Sequence, residues 1–397
     1  MRFQRRFQTL VFAATMTMLL AACGGGASTT LDEGDTEAAD ATADELEDQL
    51  PTTQTEVDAE AVYAELAAMP SDERMAEIVE KAKEEGTVLM YGASPIGYQE
   101  SWSEAFMEKY PEIQVLFVRA KSNDLAPRLE AEARAGKQLA DVIEVPAEIA
   151  LELRDADLIA DHQGVAFPDG QPEEYTEGTW FANTYLIGNV VAWNTDLVSE
   201  DEVPESIDEL LEENWRGRVV MDVAPQAFVQ GLIAERGYEG AEEFLKALFA
   251  NDTQVRTGHS AITNAQAAGE FDLSIETYTL SIEPLLAKGA PLEYMAPDPT
   301  PGHGTGMVIA KGTQRPHAAA LYAHFVVGAE GGQLSAENGG IPVHPEAEFT
   351  YERLKRFVTP GTPENERFVP ITPSRLEEIG TGALDLIDQY VVPNLSE

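Results

Sequence analysis

The chain has 397 residues, 44% hydrophobic and 8% aromatic, which is enough for about two domains of ~150 residues and excludes disorder throughout. Lys and Arg number 26 against 70 Asp and Glu, so the formal net charge is −44. A surface of this charge repels phosphate backbones and anionic headgroups, and the composition therefore excludes nucleic-acid binding. The single cysteine, Cys23, excludes a disulfide framework and any metal site built from several cysteines.

The N-terminus has the features of an export signal. Three arginines among the first six residues precede an apolar segment, 10–20, that is too short to span a bilayer of ~30 Å. Two alanines stand directly before Cys23, and this pattern resembles the lipobox of bacterial lipoproteins. The resemblance implies a signal peptide over 1–22, lipid attachment at Cys23, and a location in the cell envelope outside the cytoplasm, periplasmic or on the outer face of the cytoplasmic membrane. An ordinary signal peptide with an incidental cysteine is the alternative.

The next segment is strongly acidic. Residues 24–73 hold 15 acidic residues and no Lys or Arg, with Gly, Ser, Thr and Ala filling much of the remainder. Such a composition cannot bury a core, so we predict a disordered tether over 23–73, in which 58–68 could form a weak helix. The rest of the chain, 74–397, has 55 acidic and 23 basic residues, a net charge of −32.

From residue 86 onward, β-rich segments alternate with segments of helical spacing. Strands are predicted at 87–91, 113–118 and 141–145, and helices at 98–110, 124–134 and 146–154. This alternation indicates βαβ units in a mostly parallel sheet, and ligands collect beyond the carboxyl ends of such strands. Ser94 and Asn123 follow the first two strands and are therefore candidate ligand-binding residues.

A second lobe is predicted to repeat this pattern. The hydrophobic segment 180–193, which contains Asn183, is too long for one ordinary strand, so we interpret it as a crossover between lobes. Beyond it, strands at 219–223 and 271–276 are followed by polar or aromatic residues at strand ends and helix starts. These residues are Gln226, His259, Ser260 and Tyr278.

The pattern predicts two doubly wound α/β lobes joined by crossing strands, with a ligand cleft between them. The predicted division is lobe 1 over 74–185 plus 301–345, lobe 2 over 186–300, and a C-terminal helical segment, 346–397, packing on the lobes.

Several motifs, in this order over residues 86–346, carry a resemblance to a known family. They are Gly86-Thr87-Val88, Ala140-Asp141-Val142-Ile143, Trp215-Arg216-Gly217-Arg218-Val219, Gly269-Glu270-Phe271-Asp272, KGAPLEY at 288–294 and Gly339-Gly340-Ile341-Pro342-Val343. The chain resembles the extracellular solute-binding proteins of bacterial ABC importers, specifically the ferric-iron-type group. The resemblance implies a periplasmic binding protein type II-like fold, a monomer without a cofactor, closure of the lobes over one small-molecule solute, and delivery of that solute to a membrane permease.

The same resemblance argues against iron as the solute. In the iron-binding members, a histidine after the first strand, a glutamate after the third and two adjacent tyrosines hold the metal. The equivalent positions here are Pro95, Pro146 and a segment in which Tyr278 has no tyrosine neighbour. We therefore predict no metal site, and ferric-iron transport remains the alternative within the family.

The predicted solute is small and anionic or zwitterionic. His259 and Ser260 stand at a predicted helix N-terminus, where free N–H groups and the helix dipole favour negative charge. The seven candidate ligand-binding residues are Ser94, Asn123, Asn183, Gln226, His259, Ser260 and Tyr278. Each has a structural alternative, as a turn, a cap, a lobe-interface contact or a solvated side chain.

A secreted hydrolase is the alternative from a different class. The sequence contains no Gly-x-Ser-x-Gly elbow, no phosphate-binding loop ending in Gly-Lys-Ser/Thr and no His-Glu-x-x-His motif. We therefore expect a binding protein without catalytic residues, attached to the membrane only through its lipid.

Overall fold

The computed structural model describes residue 50 and residues 57–168 and 171–395. The predicted signal peptide, the lipidation site Cys23 and most of the predicted tether lie outside the described residues. Within the described part, no helix is both long and apolar enough to cross a membrane.

Strands and helices alternate in the first half of the described chain. The elements are α1 Ala59–Ala67, α2 Ser71–Glu85, β1 Thr87–Gly92, α3 Ile96–Lys109, β2 Gln114–Arg119, α4 Ser122–Arg134, β3 Val142–Pro146, α5 Ala147–Asp155, β4 Thr176–Glu177, β5 Phe181–Asn183, β6 Tyr185–Asn194, β7 Val219–Asp222 and α6 Gln226–Ala250.

The second half continues with shorter elements. They are β8 Gln254–Arg256, α7 His259–Ala267, β9 Leu273–Tyr278, α8 Thr279–Ala287, β10 Leu292–Met295, β11 Thr300–His303, β12 Thr305–Ile309, α9 Pro316–Val327, α10 Ala329–Glu337, β13 Ile341–Pro342, α11 Pro363–Arg367, β14 Phe368–Pro370, α12 Pro373–Ile379 and α13 Gly382–Leu386.

The strands form two sheets. The first has the order β2-β1-β3-β12-β5-β4, in which β1 pairs in parallel with β2 and β3, as the βαβ pattern predicts. The second has the order β14-β11-β6-β9-β7-β8, with β10 and β13 also pairing with β6. In the second sheet β7 runs parallel to β8 and β9, whereas β6 is antiparallel to β9.

Both faces of the first sheet are covered by hydrophobic side chains. Along β1, Val88 and Met90 belong to one buried cluster, whereas Leu89 and Tyr91 belong to another. Successive side chains of a strand point to opposite faces, so two clusters mean that helices pack on both sides. This is the doubly wound arrangement that the sequence predicts.

Two segments cross from one sheet to the other. The long hydrophobic segment divides at Thr184 into β5 of the first sheet and β6 of the second. The chain returns at Gly304, which separates β11 of the second sheet from β12 of the first. A Cβ atom on Gly304 would lie 2.1 Å from the backbone oxygen of Tyr185, so the close approach of the two crossings requires glycine.

The predicted tether is wrong at its C-terminal end, because residues 57–73 are structured. Helix α1 buries Ala59, Tyr63 and Leu66, which lie on one helical face, in the first-sheet core. The Tyr63 hydroxyl donates to the backbone oxygen of Pro316 at 3.0 Å. The prediction used the average composition of the segment, which is acidic, and an average does not reveal apolar residues that share one helical face.

The C-terminal segment is not purely helical, in contrast to the prediction. Strand β14 pairs in parallel with β11 and so extends the second sheet. Beyond it, Leu386, Ile387 and Val391 are buried in the core of that sheet. The end of the chain therefore contributes to the second sheet and its core.

Candidate functional site

Three aromatic rings meet near the two crossings. Tyr278 ends β9, and its ring stacks on that of His259, the first residue of α7, with centroids 3.9 Å apart and an interplanar angle of 17°. His303 ends β11, and its ring centroid lies 4.7 Å from that of Tyr278. The structure thus brings together two predicted site residues, His259 and Tyr278, and adds His303, which the sequence analysis missed.

Glu276 lies directly beneath this ring cluster. Its carboxylate oxygens are 3.0 and 2.9 Å from Nε2 of His259, and the residue is only 3% exposed. Burial raises the pKa of Glu276 to about 7, although the charge of His259 opposes this rise. The backbone φ of Glu276 is +68°, a region that non-glycine residues rarely occupy and that is concentrated at functional sites.

Asp222 lies near the helix start at which we predicted an anionic solute. One of its carboxylate oxygens accepts from the backbone N–H of Ala224 at 2.8 Å, just before α6. The other accepts from the N–H of Gly258 at 2.6 Å, and Gly258 is the N-cap of the helix that His259 begins. An internal carboxylate therefore uses the N–H of Gly258 and offsets part of the dipole of α7, so it competes with an anionic group at His259 and Ser260, and the anionic solute stays a prediction.

Several buried polar atoms near these rings have no hydrogen-bond partner within the described residues. The amide group of Asn189, on β6 directly opposite Tyr278, is 1% exposed, and neither its nitrogen nor its oxygen is bonded. Three more buried atoms also lack a hydrogen-bond partner among the described residues: Asn183 Oδ1, Gln230 Oε1 and His303 Nδ1. Burying an unpaired polar group costs about 1–3 kcal/mol, so these atoms indicate a site that receives a polar ligand.

One hydrogen bond joins helices that follow different sheets. Gln230 on α6, which follows β7 of the second sheet, donates through Nε2 to Oε1 of Glu148 at 3.0 Å. Glu148 is on α5, which follows β3 of the first sheet. Together with Glu276 and Asp222, Glu148 raises the pKa of Tyr278, after burial as the largest cause, so the field at this ring is negative.

The predicted residues Ser94 and Asn183 lie together at the crossings. The Ser94 hydroxyl donates to Glu144 at 2.6 Å and is also 2.8 Å from the Tyr185 hydroxyl and 3.2 Å from Oγ1 of Thr305. Asn183 donates through Nδ2 to the backbone oxygen of Thr305 at 3.4 Å. The hydroxyl of Ser94 is buried and hydrogen-bonded within the protein, which favours a structural role for this residue. Asn183, in contrast, has a side-chain oxygen without a hydrogen-bond partner among the described residues.

The other three predicted residues stand at the starts of helices. Asn123 is the second residue of α4, and Gln226 is the partly buried first residue of α6. Ser260 is exposed, with its hydroxyl 3.3 Å from that of Ser281. Both serines line a cavity of 390 Å³ whose walls also include Pro95 of the first-sheet side.

Five further residues become candidates for the site, and the sequence analysis did not select them. They are Glu148, Asn189, Asp222, Glu276 and His303. Asp222 and Glu276 stand at or near strand ends and could have been found by the rule that selected Tyr278. Asn189 carried a different signal, because it is an amide in the middle of the hydrophobic segment 180–193.

No group of three or more His, Cys, Asp or Glu side chains among residues 57–168 and 171–395 has the geometry of a metal site. His259, Glu276 and Asp222 lie close together, but His259 bonds to Glu276, and Asp222 accepts from backbone N–H groups.

Two α/β sheets linked by two crossing segments, with unpaired buried polar groups where they meet, define the architecture of a solute-binding protein. The chain belongs to the family of bacterial extracellular solute-binding proteins, whose family profile matches residues 101–351. The resemblance seen in the sequence is thereby confirmed, and the family consists of extracytoplasmic binding proteins. No curated protein matches the chain in sequence.

Solved structures share the fold at low sequence identity. Iron-bound HitA from Pseudomonas aeruginosa superposes with a TM-score of 0.64 at 20% identity, covering 77% of this chain and 99% of HitA. IdiA (FutA) of Trichodesmium, in complex with iron and citrate, gives 0.64 at 18%, covering 77% and 99%. The Atu4243-GABA receptor gives 0.62 at 16%, covering 76% and 97%. These similarities confirm the type II-like α/β fold.

Proposed function

We propose that this protein is the receptor of an ABC importer, which captures a small solute between its two sheets and passes it to a membrane permease without chemical change. The buried, unpaired amide of Asn189 is the observation that carries the proposal. Burial of an unpaired amide is costly, and a solute that pairs with it recovers that cost. Asn189 lies opposite Tyr278, the last residue of β9.

Hinge closure is the proposed mechanism. The lobes expected from the sequence, 74–185 plus 301–345 and 186–300, would rotate about the crossings at Thr184 and Gly304, with β6 and β11 moving with the second sheet to which they belong. The bond between Gln230 and Glu148 supports this mechanism, since it joins helices of the two sides at 3.0 Å. A solute that contacts both sides stabilises the closed state through its differential affinity.

The protein is proposed to act outside the cytoplasm as a monomer without a cofactor, held at the membrane by a lipid on Cys23. We expect Cys23→Ser to release the protein from the membrane fraction, because a single lipidated residue is the proposed anchor. Intact-mass measurement of membrane-extracted wild type tests the same point. An unmodified Cys23 in that sample would exclude the anchor.

The solute site is tested by a thermal-shift screen against transportable solutes, followed by calorimetric titration of the best ligand. At about 100 times its Kd, a ligand adds ~2.7 kcal/mol to the free energy of unfolding. We expect Tyr278→Ala and His259→Ala each to weaken binding by roughly 1–3 kcal/mol, the usual cost of an unpaired buried partner. Tyr238→Ala is the control, because this tyrosine is 40% exposed and outside the site. Unchanged affinity in both site variants would place the site elsewhere.

Ferric iron is the solute to test alongside the screen, because two of the similar structures were solved with iron. Iron bound by tyrosinate absorbs visible light. We expect no coloured complex, since Tyr278 lacks a second tyrosine and the carboxylates near it are already hydrogen-bonded. If the protein becomes coloured with iron and retains the iron in the presence of citrate, the solute is ferric iron and not an organic compound.

A further inference from the structure

The charged groups that surround the Tyr278 ring are mainly acidic. Glu276 is hydrogen-bonded to the stacked His259, and Asp222 holds the N–H groups of Ala224 and Gly258. Glu148 approaches from the other side, through its bond to Gln230. An anionic group entering this region would meet Glu148 and Asp222, whereas Glu276 is paired with His259. Asp222 also accepts from the N-cap N–H of α7, which offsets part of the helix dipole.

The unpaired atom of Gln230 is an acceptor. A carboxylate can only accept hydrogen bonds, so the amide nitrogen of Gln230 must face Glu148, which fixes the orientation of the side chain. Its oxygen, Oε1, is then the buried atom without a partner among the described residues. Gln230 is 6% exposed, so solvent does not pair this oxygen freely. The site therefore offers an acceptor beside a negative charge, an arrangement that suits a positively charged donor.

His303 adds no positive charge. Burial lowers its pKa to about 3, with a further contribution from His259, so the imidazole is neutral at physiological pH. A neutral imidazole can pair with a polar ligand without offsetting the nearby carboxylates.

From this juxtaposition we infer that the solute carries a positively charged nitrogen, an ammonium or guanidinium group, which the side-chain oxygen of Gln230 receives beside Glu148. The inference rests on the proposed function and narrows it to cationic or zwitterionic solutes. The net charge of −32 on residues 74–397 also favours the encounter with such solutes.

The test uses a series of four-carbon probes that differ only in their end groups. They are 1,4-diaminobutane, 4-aminobutanoate, 1,4-butanediol and succinate, each at up to 10 mM, with choline and arginine as further cations. Thermal shift and calorimetry are measured on the full chain without its signal peptide. We expect at least one ammonium- or guanidinium-bearing probe to bind, and succinate and butanediol to give no shift.

The matched variants remove charge while keeping shape. Glu148→Gln retains an acceptor for Gln230, and we expect it to weaken the binding of a cationic probe about 10- to 100-fold. Glu152→Gln is the control, because Glu152 is an exposed glutamate on the same helix, α5, and should leave the affinity within about twofold.

The outcomes separate this inference from the proposed function. If succinate or another anion of the screen binds, and Tyr278→Ala abolishes that binding, the inference of a cationic solute is wrong while the proposed receptor function stands. Failure of every cationic and zwitterionic probe would also overturn the class. If no compound in the entire screen binds, the proposed function fails as well. If Glu148→Gln and Glu152→Gln weaken the binding of a cationic probe equally, Glu148 is not the residue that pairs with the positive charge of the solute.

Discussion

Replacement of Asn189 by leucine separates stability from binding at this site. The Asn189 amide is 1% exposed and unpaired within the described chain, so the unliganded protein carries the desolvation cost of two polar atoms. Leucine has a similar shape and no polar atoms. We expect Asn189→Leu to raise the free energy of unfolding by about 1–2 kcal/mol, a gain of a few degrees in melting temperature, and to abolish solute binding.

Asn194 provides the control, because it is on the same strand and equally buried but fully paired. Its amide nitrogen donates to the backbone oxygen of Gln266 at 2.7 Å, and its oxygen accepts from the N–H of Asp196 at 2.8 Å. Asn194→Leu should therefore lower the free energy of unfolding by about 2–4 kcal/mol. Urea unfolding of both variants without ligand measures the difference. If Asn189→Leu unfolds as readily as Asn194→Leu, the Asn189 amide is paired in the free protein and the argument for a vacant polar site fails.

Two further predictions concern a buried carboxyl group and the N-terminal helix. Burial raises the pKa of Glu276 from its ordinary value of 4.5 to about 7, so the folded protein retains a proton that the unfolded chain releases. The retained proton contributes up to about 3 kcal/mol to the free energy of unfolding; this stabilisation is fully present below pH 4.5 and is lost as the pH rises to about 7. Denaturant unfolding measured across this pH range should show the decrease in stability in wild type and not in Glu276→Gln. Tyr63 is fully buried against the first-sheet core, so Tyr63→Ala should lower the free energy of unfolding by about 3–5 kcal/mol in the same assay. If the variant were as stable as wild type, helix α1 would not be part of the folded core and the tether would extend to residue 73, as first predicted.

The alternation of strands and helices predicted the parallel sheet, and the resemblance to the family implied the two-lobe architecture. The parallel pairing of β1 with β2 and β3 follows from the helical segments between them, because a parallel connection needs a crossover of that length. The excess length of the segment 180–193 indicated a crossing between lobes, and the structure divides it at Thr184. The C-terminal strand β14 could not be predicted in this way, since three residues show no periodicity and their pairing with β11 is fixed by tertiary contacts.

The sequence predicted one juxtaposition of candidate site residues and missed another. The rule that ligands collect at strand ends placed Tyr278 and His259 correctly beside each other, 3.9 Å apart. The same rule could not show which group would use the N–H at the start of α7. That depended on Asp222, which is 36 residues away in sequence from Gly258 and reaches it only because β7 and β8 pair in parallel.

Asp222 also shows why a helix N-terminus in a sequence is weak evidence for an anionic ligand. The N–H groups at such an end attract the nearest available negative charge, and a carboxylate within the protein has no translational entropy to lose on binding. In a chain with 70 acidic residues, an internal carboxylate is often within reach. Asp222 does so at Gly258, and part of the dipole of α7 is thereby offset. If Glu148 faces the solute as we propose, the charge preference of the site is then opposite to the one that the helix alone would give.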